Sequence, residues 1–346
     1  MPRGLTNSTA NQHYVSQTEQ RLNAINPKAK IENQRIYSFS IADRENFVLS
    51  LDSPNGRLIS QSLSLRDVFS FDVLPDRTRH NFEDLFGGYE ATIQKNTLSL
   101  LSKLDGIGSP DIKEELLAIF VAKFMNFLRN PFSIKKVLNT IGPLLQYEPT
   151  DPDILAQFKM VVDGNNPQEA YLCQELGITS DEYRGWLRAL FLMLRRLMPD
   201  QPNFMEHTVK SLYEHPSVLP MARIYRYTGE DPDKVCLLSD RAFASPLPEP
   251  YTSFHFNLSS RAFISYVFAP IEESKFAIAM PAHVREKLFE MYRNSRKTVR
   301  VVHSYNDFAA LARYNQSVVS WCFKSVYSSS PTVCGVTTKM NTDGMT

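Results

Sequence analysis

The chain lacks the short motifs by which many enzymes are recognised. It has no Gly-rich loop ending in Lys-Ser or Lys-Thr, and no Gly-x-Gly-x-x-Gly segment. These loops hold phosphate groups on backbone N–H donors, so their absence argues against a P-loop NTPase and a Rossmann dinucleotide enzyme. A Gly-x-Ser-x-Gly elbow is also missing, which argues against a serine hydrolase of that type.

Local metal-binding and disulfide patterns are absent too. None of the four cysteines belongs to a Cys-x-x-Cys pair, and the seven histidines show neither His-Glu-x-x-His nor His-x-His spacing. No cofactor is evident. A site assembled from distant segments stays open, so the metal is unknown and a divalent cation is compatible with the sequence. Scattered single cysteines are typical of reduced thiols in a cytosolic protein.

Neither sign of charge is in excess. The chain has 38 Lys and Arg residues against 37 Asp and Glu residues, for a net charge of +1. This balance argues against a dedicated non-specific DNA-binding protein, which usually carries a clear basic excess. It leaves room for a small basic site inside a neutral protein.

Long apolar runs are missing as well. The most apolar segment, ELLAIFVAKFMNFL, is shorter than the roughly 20 residues that a membrane-spanning helix needs, and Lys123 interrupts it. The first thirty residues lack the apolar core of a signal peptide. We therefore expect a cytoplasmic protein with no membrane partner.

The apolar spacing that is present predicts an α+β protein. Alternation in RIYSFSI and NFVLSLDSPNGRLIS indicates an N-terminal β-hairpin, helical spacing follows, and strands and closing helices return from about Arg223. That order favours α+β over a parallel βαβ sheet. The predicted organisation is a flexible tail (1–10), one large α+β domain (11–330) with an N-terminal strand part (11–80), a helical core (81–215) and a C-terminal strand and helix part (216–330), and a second flexible tail (331–346).

Local signals predict where helices begin. Ser109 followed by Pro110 predicts an N-cap and a first turn, and the spacing of Thr179 and Glu182 predicts a capping box. The following helix, RGWLRALFLMLRRLMP, has an apolar stripe with arginines largely off it. It is either a core helix with a solvated arginine face or a contact for a phosphate backbone.

The N-terminal segment NQHYVSQTEQRLNAINP is unusually polar. If residues 11–24 are helical, wholly or in part, His13, Gln17 and Arg21 fall at i, i+4 and i+8 and share one face. Histidine suits acid–base chemistry near neutral pH, and arginine suits phosphate or carboxylate binding. A surface helix with a few hydrogen bonds is the other interpretation.

A second candidate lies in the segment LLSD. The apolar run from Val235 to Leu238 predicts a buried strand, so Ser239 and Asp240 fall at its end. Scaffolds often place functional groups there. In the other interpretation, Asp240 forms an Asx turn or caps a helix.

Five segments, in order, resemble the bacterial family of unknown function numbered 4238. They are QHYVSQ with Arg21, FEDLFGGYEATIQK, LAIFVAKFMNFLRNP, LLSDRAF and YNQSVVSWCFKSVYSSS, and the resemblance covers roughly residues 11–330. The chain departs from the family where Ser16 replaces a proline. The proline of the family's Ser-Asp-x-Pro motif is replaced by Phe243 or missing, which indicates a divergent branch.

The resemblance implies a single polar site, because the family's landmark positions here are polar residues from different elements. The implied catalytic residues are His13, for proton transfer, and Asp240, which would orient His13 or hold a metal. The implied substrate-binding residues are Gln17, Arg21, Arg129 and Asn315. The two arginines suit a phosphate group, and the two amides suit positioning.

Two hypotheses of different classes follow. The first is a nuclease-like enzyme that acts on nucleic acid or a nucleotide by phosphoryl transfer or hydrolysis, as a bacterial toxin or phage-defence effector. The second is a non-enzymatic binding or sensing module whose polar cluster is a structural network. Both are compatible with a protein partner or a homo-oligomer.

Overall fold

The secondary structure follows the predicted α+β order, with N-terminal strands, a central run of helices, and strands and helices at the C-terminal end. The structure, a computed structural model, describes residues 5–106, 110–198, 201–247, 251–271, 280–294 and 299–340. Its strands are β1 (Asn11–His13), β2 (Arg35–Asp43), β3 (Val48–Leu51), β4 (Arg57–Leu58), β5 (Ser64–Arg66), β6 (Ser70–Val73), β7 (Arg79–Asn81), β8 (Val218–Arg226), β9 (Leu238–Ser239), β10 (Thr252–Ser259), β11 (Ala262–Pro270), β12 (Arg300–Tyr305), β13 (Ser325–Ser328) and β14 (Thr337–Met340). Its α-helices are α1 (Gln17–Arg21), α2 (Glu83–Leu104), α3 (Lys113–Arg129), α4 (Ile134–Ile141), α5 (Pro152–Asp163), α6 (Glu169–Leu176), α7 (Ser180–Leu194), α8 (Phe204–Glu214), α9 (Ala282–Asn294) and α10 (Phe308–Trp321).

The chain forms two compact units, each assembled from separate segments. The first comprises Met1–Thr18, Gln61–Ser99 and Glu115–His207, and the second comprises Glu19–Ser60, Leu100–Glu114 and Thr208–Thr346. Most helical residues belong to the first unit and the larger sheets to the second. The single-domain description stays a prediction.

Helix α7 lies in the core of the first unit. Thr179 and Glu182 form the predicted capping box at its start. Trp186 is fully buried, and its indole N–H donates to the carbonyl of Leu128 at 2.7 Å. Arg184 forms an ion pair within the unit. The core-helix interpretation of this segment therefore agrees with the structure.

The N-terminal segment enters the first unit as a strand. β1 pairs antiparallel with β5, and Gln12 within it is fully buried. The Gln12 amide donates to the hydroxyl of Ser70 and accepts from the backbone N–H of Phe69. Residues 11–24 are therefore helical only in part, because strand pairing takes the backbone groups of the first residues. Helical structure is confined to α1.

Two sheets organise the second unit. One has the order β14-β3-β2-β13-β9, with β4 also paired to β2, and the other has the order β10-β11-β8-β12. The antiparallel β2–β3 pair confirms the predicted N-terminal hairpin. A core of buried apolar and aromatic residues, including Phe39, Leu311 and Val326, packs within this unit.

The segment from Val235 to Leu238 is buried as predicted, but only its last residue lies in a strand, β9. The backbone groups of the residues before β9 are hydrogen-bonded by side-chain amides. Asn315 accepts from the N–H of Leu237, and Asn257 donates to the carbonyls of Cys236 and Leu237. Because these amides supply the hydrogen bonds, the backbone there needs no neighbouring strand.

Residues within both predicted tails make backbone hydrogen bonds where the structure describes them. Asn7 donates its backbone N–H to Arg79, and Leu5 is buried and accepts from the backbone N–H of Asn81. At the other end, β14 pairs in parallel with β3 and forms one edge of its sheet. The predicted N-cap at Ser109 lies outside the described residues, and α3 begins at Lys113.

Candidate functional site

His13 is half-buried at the end of β1 and is held on both ring nitrogens. Its Nδ1 lies 3.0 Å from the carbonyl oxygen of Ser62, and its Nε2 lies 2.9 Å from Nε2 of Gln17. A carbonyl only accepts, so Nδ1 is the donor. The amide of Gln17 then donates to Nε2, which makes the imidazole neutral in this arrangement.

The predicted site residues divide between the two units. His13, Gln17 and Arg129 belong to the first, whereas Arg21, Asp240 and Asn315 belong to the second. Within the first unit the structure brings His13 and Gln17 together. Arg21 is the half-buried last residue of α1. Convergence of all six residues in one pocket stays a prediction.

Arg129 ends α3 in a fully buried position. Its Nη1 lies 2.5 Å from a carboxylate oxygen of Glu90, which is itself 27% exposed. The centre of the guanidinium lies 4.9 Å from the ring centroid of Phe86. Enclosing a guanidinium is costly unless its N–H groups are bonded and its charge is paired, so the rest of its environment decides its role.

One whole edge of the Arg129 guanidinium has no hydrogen-bond partner in the part of the chain that the structure describes. Nε and Nη2 are both enclosed, and neither has a hydrogen-bond acceptor among the described residues. These two nitrogens point their N–H groups the same way and form the fork that binds carboxylate or phosphate with two parallel bonds. Arg129 therefore combines a paired Nη1 with an unused two-donor edge.

Glu83 is a second carboxyl near this arginine. It is the first residue of α2. The side chain of Asn81 accepts a hydrogen bond from the backbone N–H of Glu83 at 3.0 Å and so caps the start of this helix. Burial raises the pKa of Glu83 to about 7, against the opposing effect of the Arg129 charge, while the charges of Glu90 and Asp84 add to the rise. Near neutral pH this carboxyl is therefore partly protonated.

Asp240 serves the backbone in the second unit. It is buried, and its carboxylate accepts N–H groups from Phe323 at 2.8 Å, Lys324 at 2.7 Å and Ser325 at 2.9 Å. Burial raises its pKa, and these three donors act in the opposite direction. Asp240, directly after β9, is thereby hydrogen-bonded to the segment that connects α10 to β13.

Asn315 has a similar role. It is fully buried on α10, and its amide donates to the carbonyls of Val235 at 2.9 Å and Cys334 at 3.0 Å. Its oxygen accepts from the backbone N–H of Leu237. The positioning role predicted for this amide is therefore, in this geometry, exercised on the protein's own backbone.

Sequence reasoning missed Glu83 and Glu90 as site residues. Both lie in the segment FEDLFGGYEATIQK, which carried part of the family resemblance through its paired acidic residues. Their spacing of i and i+7 on a helix beside Phe86 places all three on one face. That spacing was the available signal, but it also fits an ordinary solvated face, and only the position of Arg129 separates the two.

Other site classes find no support in the described residues. No three His, Cys, Asp or Glu side chains among them are placed to hold a metal ion. In the same part of the chain, no helix is both long and apolar enough to cross a membrane. A shallow cavity of about 500 Å³ in the second unit is lined by Arg44 and Lys324, but Arg44 is already bonded to carbonyl groups, including that of Cys322, at the end of α10.

Comparison of the chain with models of known families, with curated proteins and with solved structures found no match. The resemblance to the family numbered 4238 therefore stays a prediction.

Proposed function

We propose that the protein acts on the phosphate group of a nucleotide or nucleic acid, by hydrolysis or phosphoryl transfer, with Arg129 binding the phosphate and His13 acting as acid or base. The observation that carries this proposal is the unused Nε–Nη2 edge of Arg129. An enclosed guanidinium fork without acceptors is costly, and a phosphate supplies two oxygens with matching geometry. Arg129 is fully enclosed, so the ligand reaches this edge when neighbouring side chains move.

The hydrogen bonds of His13 fit the role of base. With Nδ1 donating to Ser62, Nε2 holds the lone pair that would accept a proton. Gln17 covers that lone pair in the present arrangement. In the proposed reaction the substrate or its attacking water takes the place of the Gln17 amide.

Binding can be tested without knowing the natural substrate. Inorganic phosphate and thymidine 5′-monophosphate are titrated calorimetrically into the wild type and into Arg129→Lys, which keeps the charge and loses the fork. We expect at least about tenfold weaker binding of both ligands in the variant, because two charge-assisted hydrogen bonds become one. The matched control is Arg184→Lys, at an arginine whose Nε and Nη2 already bind Glu169. Equal affinity in the wild type and Arg129→Lys would overturn the assignment of Arg129.

The proposed setting is the bacterial cytoplasm, as a toxin or phage-defence effector. Expression of the wild type is expected to arrest growth, and His13→Ala is expected to relieve the arrest while the protein stays folded. Cleavage of plasmid DNA, RNA and nucleoside triphosphates by the purified protein identifies the substrate class. If His13→Ala is as toxic as its parent, the role of His13 as acid or base fails.

A second candidate function has its own support. Asp240 and Asn315 are fully engaged by backbone groups, which favours a binding or sensing module with a structural polar network. In that case Asp240→Asn lowers the unfolding free energy by about 1–3 kcal/mol, as expected when buried N–H groups lose their acceptor. It would do so without removing any activity, and no hydrolysis of the three substrate classes would be found in the wild type.

A further inference from the structure

Glu83 lies on the face of α2 that carries the partners of Arg129. Glu83, Phe86 and Glu90 fall at i, i+3 and i+7, so they share one side of the helix. Glu90 bonds the guanidinium, and the ring of Phe86 lies against it. Glu83 is close enough for the charge of Arg129 to act on its carboxyl.

The carboxyl of Glu83 nevertheless makes no hydrogen bond to Nε or Nη2 of Arg129. Its Oε1 is enclosed and has no hydrogen-bond partner among the described residues, as is also true of Nε and Nη2 of Arg129. A network built only for stability would pair these groups, because a carboxylate and a guanidinium fork are complementary. A ligand that offers acceptor oxygens to the fork and a further oxygen to a carboxyl O–H satisfies both at once.

We propose that Glu83 is the proton donor of this site, and that it protonates the leaving-group oxygen of a phosphodiester whose non-bridging oxygens bind the Nε–Nη2 edge of Arg129. This inference rests on the proposed function. Water forms a bond to phosphorus through its oxygen while the bond from phosphorus to the leaving oxygen breaks. The proton of Glu83 passes to the leaving oxygen, and a proton of the attacking water passes to His13. Solvent then carries a proton back from His13 to Glu83, which restores both groups.

The test compares two substrates that differ only in their leaving group. Thymidylyl-thymidine has an alkoxide leaving group that needs a proton, and thymidine 5′-(p-nitrophenyl phosphate) has a phenolate that leaves without one. Glu83→Gln is expected to slow cleavage of the dinucleotide at least about a hundredfold, the usual contribution of a general acid, and to change cleavage of the nitrophenyl ester less than about fivefold. Asp181→Asn is the matched control, because it removes an exposed carboxylate from the first turn of another helix of the same unit, α7, and is expected to slow neither substrate.

The ratio of the two rates separates chemistry from folding, since loss of folded protein lowers both rates equally. Equal slowing of both substrates by Glu83→Gln would overturn the role of Glu83 and leave the proposed hydrolysis standing. If the wild type cleaves neither substrate, the proposed hydrolysis of phosphodiesters fails, and the role of Glu83 fails with it.

Discussion

At the scale of single residues, burial moves the protonation of Glu83 and His255 in opposite directions. Burial raises the pKa of Glu83 to about 7 and lowers that of His255 to about 4. In both cases the low-dielectric surroundings disfavour the charged form. The two groups belong to different units, so each reports on its own part of the chain.

For Glu83, the folded state holds its proton to higher pH than the unfolded state, whose carboxyl titrates near 4.5. The unfolding free energy therefore falls as pH rises from about 4.5 to about 7, by about 3 kcal/mol in total. Glu83→Gln should remove this slope, so that the variant gains stability over the wild type as pH rises to 8. Urea denaturation across pH 4.5–8 measures it, and a pH-independent difference between the two proteins would contradict the assignment.

For His255, the sign is reversed. Its ring lies 6.4 Å from that of Phe263 and 6.5 Å from that of Tyr314, and its Nδ1 is enclosed without a partner among the described residues. The unfolded state gains a proton near pH 6.5, so stability falls by about 3 kcal/mol as pH drops from about 6.5 to about 4. His255→Phe should therefore reduce the fall in the unfolding free energy between pH 6.5 and pH 4. His207→Phe replaces an exposed histidine and should leave that fall unchanged.

At the scale of elements, the packing of the C-terminal segment against α10 depends on one glycine. Gly335 has a φ of +81°, and a Cβ there would lie 2.5 Å from Cα of Ala312 on α10. This close approach lets the chain pass α10 and reach the edge of the sheet as β14. The polar tail sequence carries little sign of this packing, because its apolar residues are few.

We expect Gly335→Ala to destabilise the protein more than Gly177→Ala does. Gly177 also has a positive φ, +63°, but among the described residues no atom beyond the adjoining stretch of chain lies within 4 Å of its Cβ position. The Gly177 change should cost about 1–2 kcal/mol, the cost of the left-handed conformation for an L-residue, and the Gly335 change should add the cost of the clash. Chemical denaturation of the two variants decides this, and equal losses would show that the segment around Gly335 moves freely away from α10.

At the scale of the whole molecule, the chain passes between the two compact units five times. The boundaries follow Thr18, Ser60, Ser99, Glu114 and His207, and four of the five fall within α-helices. Boundaries between independent domains usually lie in exposed linkers, unlike these. Because each unit is made of three separate segments, a single cut in the chain cannot release either unit intact.

A fragment of residues 208–346 should therefore fail to fold cooperatively. It retains β13 and β14 but lacks β2 and β3, which pair with them in the full chain. Unpaired strand edges and exposed core residues such as Val326 would leave it aggregation-prone. Circular dichroism and thermal unfolding of the fragment beside the full chain test this, and a cooperative transition in the fragment alone would contradict it.

Local patterns were enough for much of the fold. The capping box at Thr179, the apolar stripe of α7 and the β2–β3 hairpin were all predicted, because each depends on residues within a few positions of one another. In the N-terminal segment, strand pairing of β1 with β5 overrides the local helical spacing over the first residues, and this pairing depends on a partner about fifty residues away in the chain. Of the candidate site, the sequence predicted Arg129, but neither its pairing with Glu90 nor its unused edge.

What the sequence determined by itself is the α+β class and the identity of the polar residues that could carry chemistry. Only the tertiary structure decided what those residues face. His13 meets Gln17 and the carbonyl of Ser62, and Asp240 meets three backbone N–H groups. Arg129 meets Glu90, while its Nε and Nη2 have no acceptor among the described residues. The reason is physical: spacing along the chain specifies which side of an element a residue occupies, whereas burial, charge pairing and hydrogen-bond partners come from segments distant in sequence.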